Sequence, residues 1–294
     1  MTGKLFIGDV GEPEGPAFSP DGSFYLTEMA IGRSCVSRIE SGVRRVVLPT
    51  AGRPNGLAFD GDGDLWVAEA REGAVLRADR NGTVKQRIAG DATGRFLWPN
   101  DLAFGPDGML YLTDSGILDL DLIPDTAIRA DFAKLKYDGR LYRIDPVKRQ
   151  VDMLDRGFLF TNGIAFGPDQ QLYINEMLTG DVFRYDLQKA RPQRELHGNV
   201  LIDRSGRSFG GPDGMKFDVA GNLYCAVFGQ SDITVLDPTG KVAKRLKTKG
   251  AKPTNVAFAP SEPRIFITEV ETSSVYTFDV PHVGQPLFAP RIRG

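Results

Sequence analysis

The chain has 294 residues, 41% of them hydrophobic and 25% charged, with a formal net charge of −2. That is enough chain to bury a large core, and its acids and bases are too interspersed for the basic stripe of a nucleic-acid binder. The longest apolar runs are strand-sized, which excludes a membrane-spanning helix.

Residues 4–7 form a first short strand with no partner nearby in sequence. One stretch then recurs six times: EGPAFSPDGSFYLTE from Glu14, NGLAFDGDGDLWVAE from Asn55, NDLAFGPDGMLYLTD from Asn100, NGIAFGPDQQLYINE from Asn162, DGMKFDVAGNLYCAV from Asp213 and NVAFAPSEPRIFITE from Asn255. The spacings are 41, 45, 62, 51 and 42 residues. A period of about 40–50 residues with several short strands per unit predicts a propeller. In the second unit an apolar strand from Asn55 turns at Asp60–Gly63 and returns over Leu65–Glu69. A third strand over 74–79 and a fourth over 83–89 complete a four-stranded blade. Third strands are expected at 35–39, 140–145, 182–186, 233–237 and 275–279. The prediction is one all-β domain over 1–294, a six-bladed β-propeller with four antiparallel strands per blade. The 4–7 strand should close the last blade, with Leu287 and Phe288 as competitors for that place. Closure leaves few free strand edges, which suits a monomer or a weak homo-oligomer.

The long third spacing holds an insertion at 116–138, expected to form a lid with a helical turn at 126–134. Arg204 and Arg207, in the segment 197–211, should open onto the same face. The stretch MTGKLFIGDVGEPEGP reads as no signal peptide. Two cysteines in separate repeats, Cys35 and Cys225, read as reduced thiols of a cytoplasmic protein.

The residue heading each copy is an oxygen donor: Glu14, Asn55, Asn100, Asn162, Asp213 and Asn255. In a closed ring the six share one end of the channel. Two buried carboxylates there are unfavourable without a cation. The all-oxygen set suits one divalent ion, Ca²⁺ first, with Mg²⁺, Mn²⁺ or Zn²⁺ as alternatives. Glu14, Asp213 and Asn162 are the proposed ligands. Asn55 and Asn255 read as turn residues. A second ring ends the return strands: Glu28, Glu69, Asp114, Glu176, Val227 and Glu269. Its acids should either support ligands and loop N–H groups or tie blades together. His197 and His282 read as surface or blade-edge residues.

With Glu14-Gly-Pro, Pro99-Asn-Asp101, Thr161-Asn-Gly163 and Pro212-Asp-Gly214 heading inner strands in order, the chain resembles the regucalcin/gluconolactonase family of six-bladed propeller lactonases. Diisopropyl fluorophosphatase is a more distant likeness. The resemblance implies a metal-dependent hydrolase that opens a lactone or related ester. Glu14, Asn162 and Asp213 match the family's metal ligands, and Asp213 its general base or nucleophile. Asn100 matches a residue that binds the metal or the substrate. The family's sugar lactonases carry an arginine two residues before this asparagine; here it is Trp98, in Phe96-Leu97-Trp98-Pro99. That change puts a polyhydroxylated sugar lactone in doubt: Trp98 either forms an aromatic wall that suits a more apolar ring or a sugar face, or packs between blades. Trp98 and Asp114, the latter in the TDSG continuation of the motif, join Asn100 as substrate-side residues. Organophosphate hydrolysis or another, non-hydrolytic reaction on the same metal site, and a non-enzymatic calcium-binding propeller, are the alternative functions.

Overall fold

The computed structural model describes residues 3–206 and 208–293. Six inner strands line a central channel: Pro13–Phe18, Pro54–Phe59, Pro99–Phe104, Thr161–Phe166, Gly211–Phe217 and Pro253–Phe258. Each begins a four-stranded antiparallel sheet. Each inner strand packs against that of the next blade, and the sixth packs against the first. The chain is therefore a six-bladed β-propeller. The expected third strands are all present, each within one residue of its predicted bounds.

The first hairpins of blades one, two, three and five turn on a left-handed glycine, Gly22, Gly63, Gly108 and Gly221 respectively. Gln170 takes that conformation in the fourth blade, where the repeat lacks the glycine. Between blades, apolar side chains interdigitate. Trp66 of blade two meets Phe104 of blade three edge to face at 5.7 Å, in a cluster with Leu102, Leu112 and Tyr142.

Lys4–Gly8 pairs with Ser274–Asp279 and becomes the outer strand of the sixth blade. The C-terminal segment does not compete for that edge. Gln285 N–H donates to the Phe217 carbonyl, and residues 284–289 line the channel end opposite the oxygen donors. Deleting Lys4–Gly8 should remove several kcal/mol of stability, because it strips Phe6 from Phe24 and Phe266 and exposes a strand edge. A lower urea midpoint together with concentration-dependent association checks this.

Register corrects one expectation. Pro253 pairs with Glu269 as Pro13 does with Glu28, Pro54 with Glu69 and Pro99 with Asp114. Thr254 therefore heads the sixth inner strand, and Asn255 stands one place later. That later place is held by Gly15, Gly56, Asp101, Gly163 and Gly214 in the other blades. The glycines leave room for a neighbour: a Cβ at Gly56 would lie 2.5 Å from Asp101 Oδ1, and one at Gly214 would overlap the Asn255 amide. Asp101 and Asn255 thus fill the space over the glycine of the preceding blade.

Residues 116–138 hold a short helix, Asp119–Leu122, and a single 3₁₀ turn, Phe132–Lys134. The turn falls inside the predicted 126–134; the helix was not anticipated. Asp119 is tied to Arg71 of blade two by a 2.7 Å ion pair. Leu122 and Phe132 pack with Trp98, Phe160 and Met177. Arg207 lies outside the described residues, and Arg204 is exposed.

Candidate metal centre and channel mouth

The strand heads gather where the inner strands begin. Glu14, Asn55, Asn100, Asn162 and Asp213 are all buried. The backbones of three of them are fixed by the return strand of the preceding blade. Thr27 Oγ1 donates to the Asn55 carbonyl at 2.7 Å, Thr113 Oγ1 to the Asn162 carbonyl at 2.5 Å, and Asn175 Nδ2 to the Asp213 carbonyl at 2.6 Å. These Thr and Asn residues each precede the acid of the second ring, and sequence reasoning missed them. Their signal was the Thr-Glu, Thr-Asp and Asn-Glu endings of the repeats.

The second ring holds the loops that enter the inner strands. Glu28 accepts from Gly11 N–H, Glu69 from Arg53 N–H, Glu176 from Leu159 N–H and Glu269 from Lys252 N–H. Asp114 accepts from Leu97, Trp98 and Gly116 N–H. Fully buried and with both oxygens engaged, Asp114 positions Trp98 and has no oxygen to offer a substrate. Val227 breaks the series in the fifth blade, where it pairs with Pro212 beside Asp213.

The side chains at the strand heads differ in what they have left to give. Ser115 Oγ donates to the Thr161 carbonyl, so it can only accept from Asn100, whose Nδ2 lies 2.9 Å away. Asn100 Oδ1 is left buried without a partner. Asn162 turns Nδ2 toward Met177 Sδ at 3.6 Å, and its Oδ1 is also unpartnered. So is Asn55 Oδ1, which sets Asn55 beside these two rather than with the turn residues. Asn255 is used up: Oδ1 accepts from Val256 N–H and Nδ2 donates to Glu14 Oε2 at 3.1 Å.

Three carboxylates face one another here. Burial and the neighbouring Asp101 push the Glu14 carboxyl up to about 8, against hydrogen bonds from Asn255 and Gly15. Burial, then Glu14 and Asp101, push Asp213 well above the usual carboxylate range. Among the described residues no group of three or more His, Cys, Asp or Glu side chains could hold a metal by itself. The amide oxygens complete the set. Two carboxylates and three orphaned amide oxygens fit a hard cation, since an unpaired buried acceptor is unfavourable until something positive meets it.

The mouth is walled unevenly by the residues two places before the strand heads. Trp98 and Phe160 meet edge to face at 5.3 Å, and Phe160 meets Phe209 at 5.6 Å. Trp98 Nε1 is a buried donor without a partner. On the other side Arg53, two residues before Asn55, pairs with Glu12 at 3.1 Å. Arg53 is the repeat equivalent of Trp98, one blade earlier. His197 lies on the outer strand of blade four, packed on Tyr173.

Among the described residues no helix is long and apolar enough to cross a membrane. Residues 90–271 match the family described as SMP-30/Gluconolactonase/LRE-like region. Diisopropyl-fluorophosphatase of Loligo vulgaris is 28% identical over 307 residues, which cover 97% of this chain and 94% of that protein. Gluconolactonase of Zymomonas mobilis is 28% identical over 214 residues, 69% of this chain and 57% of that one. A gluconolactonase structure from Xanthomonas campestris superposes with a TM-score of 0.76 at 24% identity, covering 93% of this chain and 88% of that one.

Proposed function

The chain belongs to the SMP-30/gluconolactonase/LRE-like family, and on that premise we propose that it is a divalent-metal-dependent hydrolase opening a lactone or related ester. The observation that carries the metal is the trio of buried, unpartnered amide oxygens, Asn55, Asn100 and Asn162 Oδ1, beside the Glu14 and Asp213 carboxylates. Glu14, Asn162 and Asp213 would hold the ion, Asn100 would lie between ion and substrate, and Asn55 would add a further oxygen. A bound divalent cation supplies Lewis-acid polarisation of the ester carbonyl. Asp213 takes the proton of the attacking water or itself attacks the carbonyl carbon. The hydrogen bond of Asn175 to the Asp213 carbonyl keeps that carboxylate in place for either role. Ser115 keeps the Asn100 amide oriented.

The substrate would meet the apolar wall of Trp98 and Phe160 on one side and Arg53 on the other. The 116–138 insertion packs on that wall and acts as a lid, latched through Asp119 and Arg71, that excludes water. The Trp98 N–H is available to a substrate oxygen. This wall favours lactones bearing alkyl or aryl groups over polyhydroxylated ones. Replacing Trp98 by Ala is expected to erode that preference about tenfold in kcat/KM. A ratio unchanged between a γ-alkyl lactone and glucono-1,5-lactone would remove Trp98 from the site. The likeness to diisopropyl-fluorophosphatase over nearly the whole chain favours phosphotriester hydrolysis as the second reading.

The test is turnover of a panel of lactones, aryl esters and a phosphotriester, before and after chelation and after adding back Ca²⁺, Mg²⁺ or Mn²⁺. Loss on chelation with recovery on one ion supports the reading. Full activity in chelator, or none on any substrate with any ion, overturns it.

A further inference from the structure

Below the strand heads the channel is apolar. Three places into each inner strand stand Ala17, Ala58, Ala103, Ala165 and Ala257, and in the fifth blade Lys216. The cavity there measures about 360 Å3, is walled by these small residues and by phenylalanines, and has Lys216 as its one charged lining residue. The Lys216 side chain is 15% exposed. Its Nζ donates to the Met215 carbonyl at 3.1 Å and lies 3.8 Å from Asp101 Oδ2.

Asp101 is itself buried beside the ring. Its Oδ1 accepts from Leu102 N–H at 2.8 Å and lies over Gly56. Glu14, Asp213 and Asp101 together would carry three negative charges into a poorly solvated space. One divalent cation neutralises two of them. Among the described residues that line the apolar channel below, no other side chain is basic, so Lys216 is the partner there for the third charge. Removing one partner of an ion pair in such surroundings leaves a buried charge that little water screens.

We infer that Lys216 is the fixed counter-ion of the ring, offsetting Asp101 so that three carboxylates present the net charge that one divalent cation matches. Lys216 is then a positioning residue, neither a metal ligand nor a catalytic group. The inference rests on the metal reading above for its effect on the ion, but its effect on the metal-free protein is independent of that reading.

The two parts of the pair should act with opposite signs. Calorimetric titration of Ca²⁺ into chelator-stripped protein at pH 8 should show Lys216→Met binding roughly tenfold tighter or more, because the ring gains a net negative charge. Asp101→Asn should bind roughly tenfold weaker. The double variant should return close to the wild type, and Lys216→Arg should stay there. In chelator, Lys216→Met should melt below the wild type and the added Asp101→Asn should restore the loss. If Lys216→Met alone does not fold, the double variant must. Shifts of the same sign in the two single variants, or a double variant that sums their losses, overturns the inference. If the wild type takes up none of Ca²⁺, Mg²⁺ or Mn²⁺, the metal reading fails, and the melting pattern alone then upholds or overturns the role of Lys216.

Discussion

Replacing Asp213 by Asn is expected to lower turnover by about 10²–10⁴-fold, the range for loss of a positioned base, on any substrate the protein hydrolyses. The amide keeps the shape of the carboxylate but can neither accept the proton nor attack. The same change converts a charged ligand into a neutral one, so affinity for the divalent ion falls as well. Stability moves the other way. In chelator the wild type holds Asp213 against Glu14 and Asp101 in a buried site. Removing one member of that repelling set should raise the stability of the chelated protein, by about 1–3 kcal/mol. An inactive variant that binds metal weakly and unfolds later in chelator is the expected result. Wild-type turnover, or a chelated variant less stable than the chelated wild type, would separate Asp213 from the ring.

The second large effect is on pH. Glu14 has a folded value of about 8 against an ordinary 4.5. Between these values the metal-free folded chain retains a proton that the unfolded chain has released, so stability falls as pH rises. The contribution is fully present below about pH 4.5 and lost above about pH 8, with a slope of up to about 1.4 kcal/mol per pH unit for one group. Asp213 acts in the same direction. So do Asp114, raised by burial, and Glu69, which burial pushes up to about 7. Calcium should flatten only the part due to Glu14 and Asp213, because an ion that displaces their protons removes the advantage of low pH. Urea midpoints from pH 5 to 9, in chelator and in Ca²⁺, should therefore converge at low pH and diverge toward pH 8. Parallel curves would mean that the carboxylates and the ion do not share a site.

Much of the fold was legible because a propeller writes its period into the chain. Apolar strand, glycine turn and return strand recur with little variation, and the channel end follows from the strand heads. The sixth copy was misread by one residue because Asn255 looks like the asparagines of the other blades, while Thr254, also an oxygen donor, holds their place in the register. Asn55 was set aside because Asn-Gly is a turn signal, yet its amide oxygen is as unpartnered as those of Asn100 and Asn162. Asp114 was placed at the substrate because it continues the motif as TDSG. Backbone N–H groups of the loop above consume it instead. Asp101 and Lys216 could not be paired from sequence. They lie in blades three and five, on either side of blade four, and only the closed ring brings them within 3.8 Å. Arg53 was legible in hindsight as the residue matching Trp98 one blade earlier.

The most direct test is the divalent-metal content of the stripped and reloaded protein, measured by elemental analysis after dialysis, for wild type and for Asp213→Ala. The ring reading predicts one bound ion per wild-type chain and none retained by the variant. An equal content in both would contradict it.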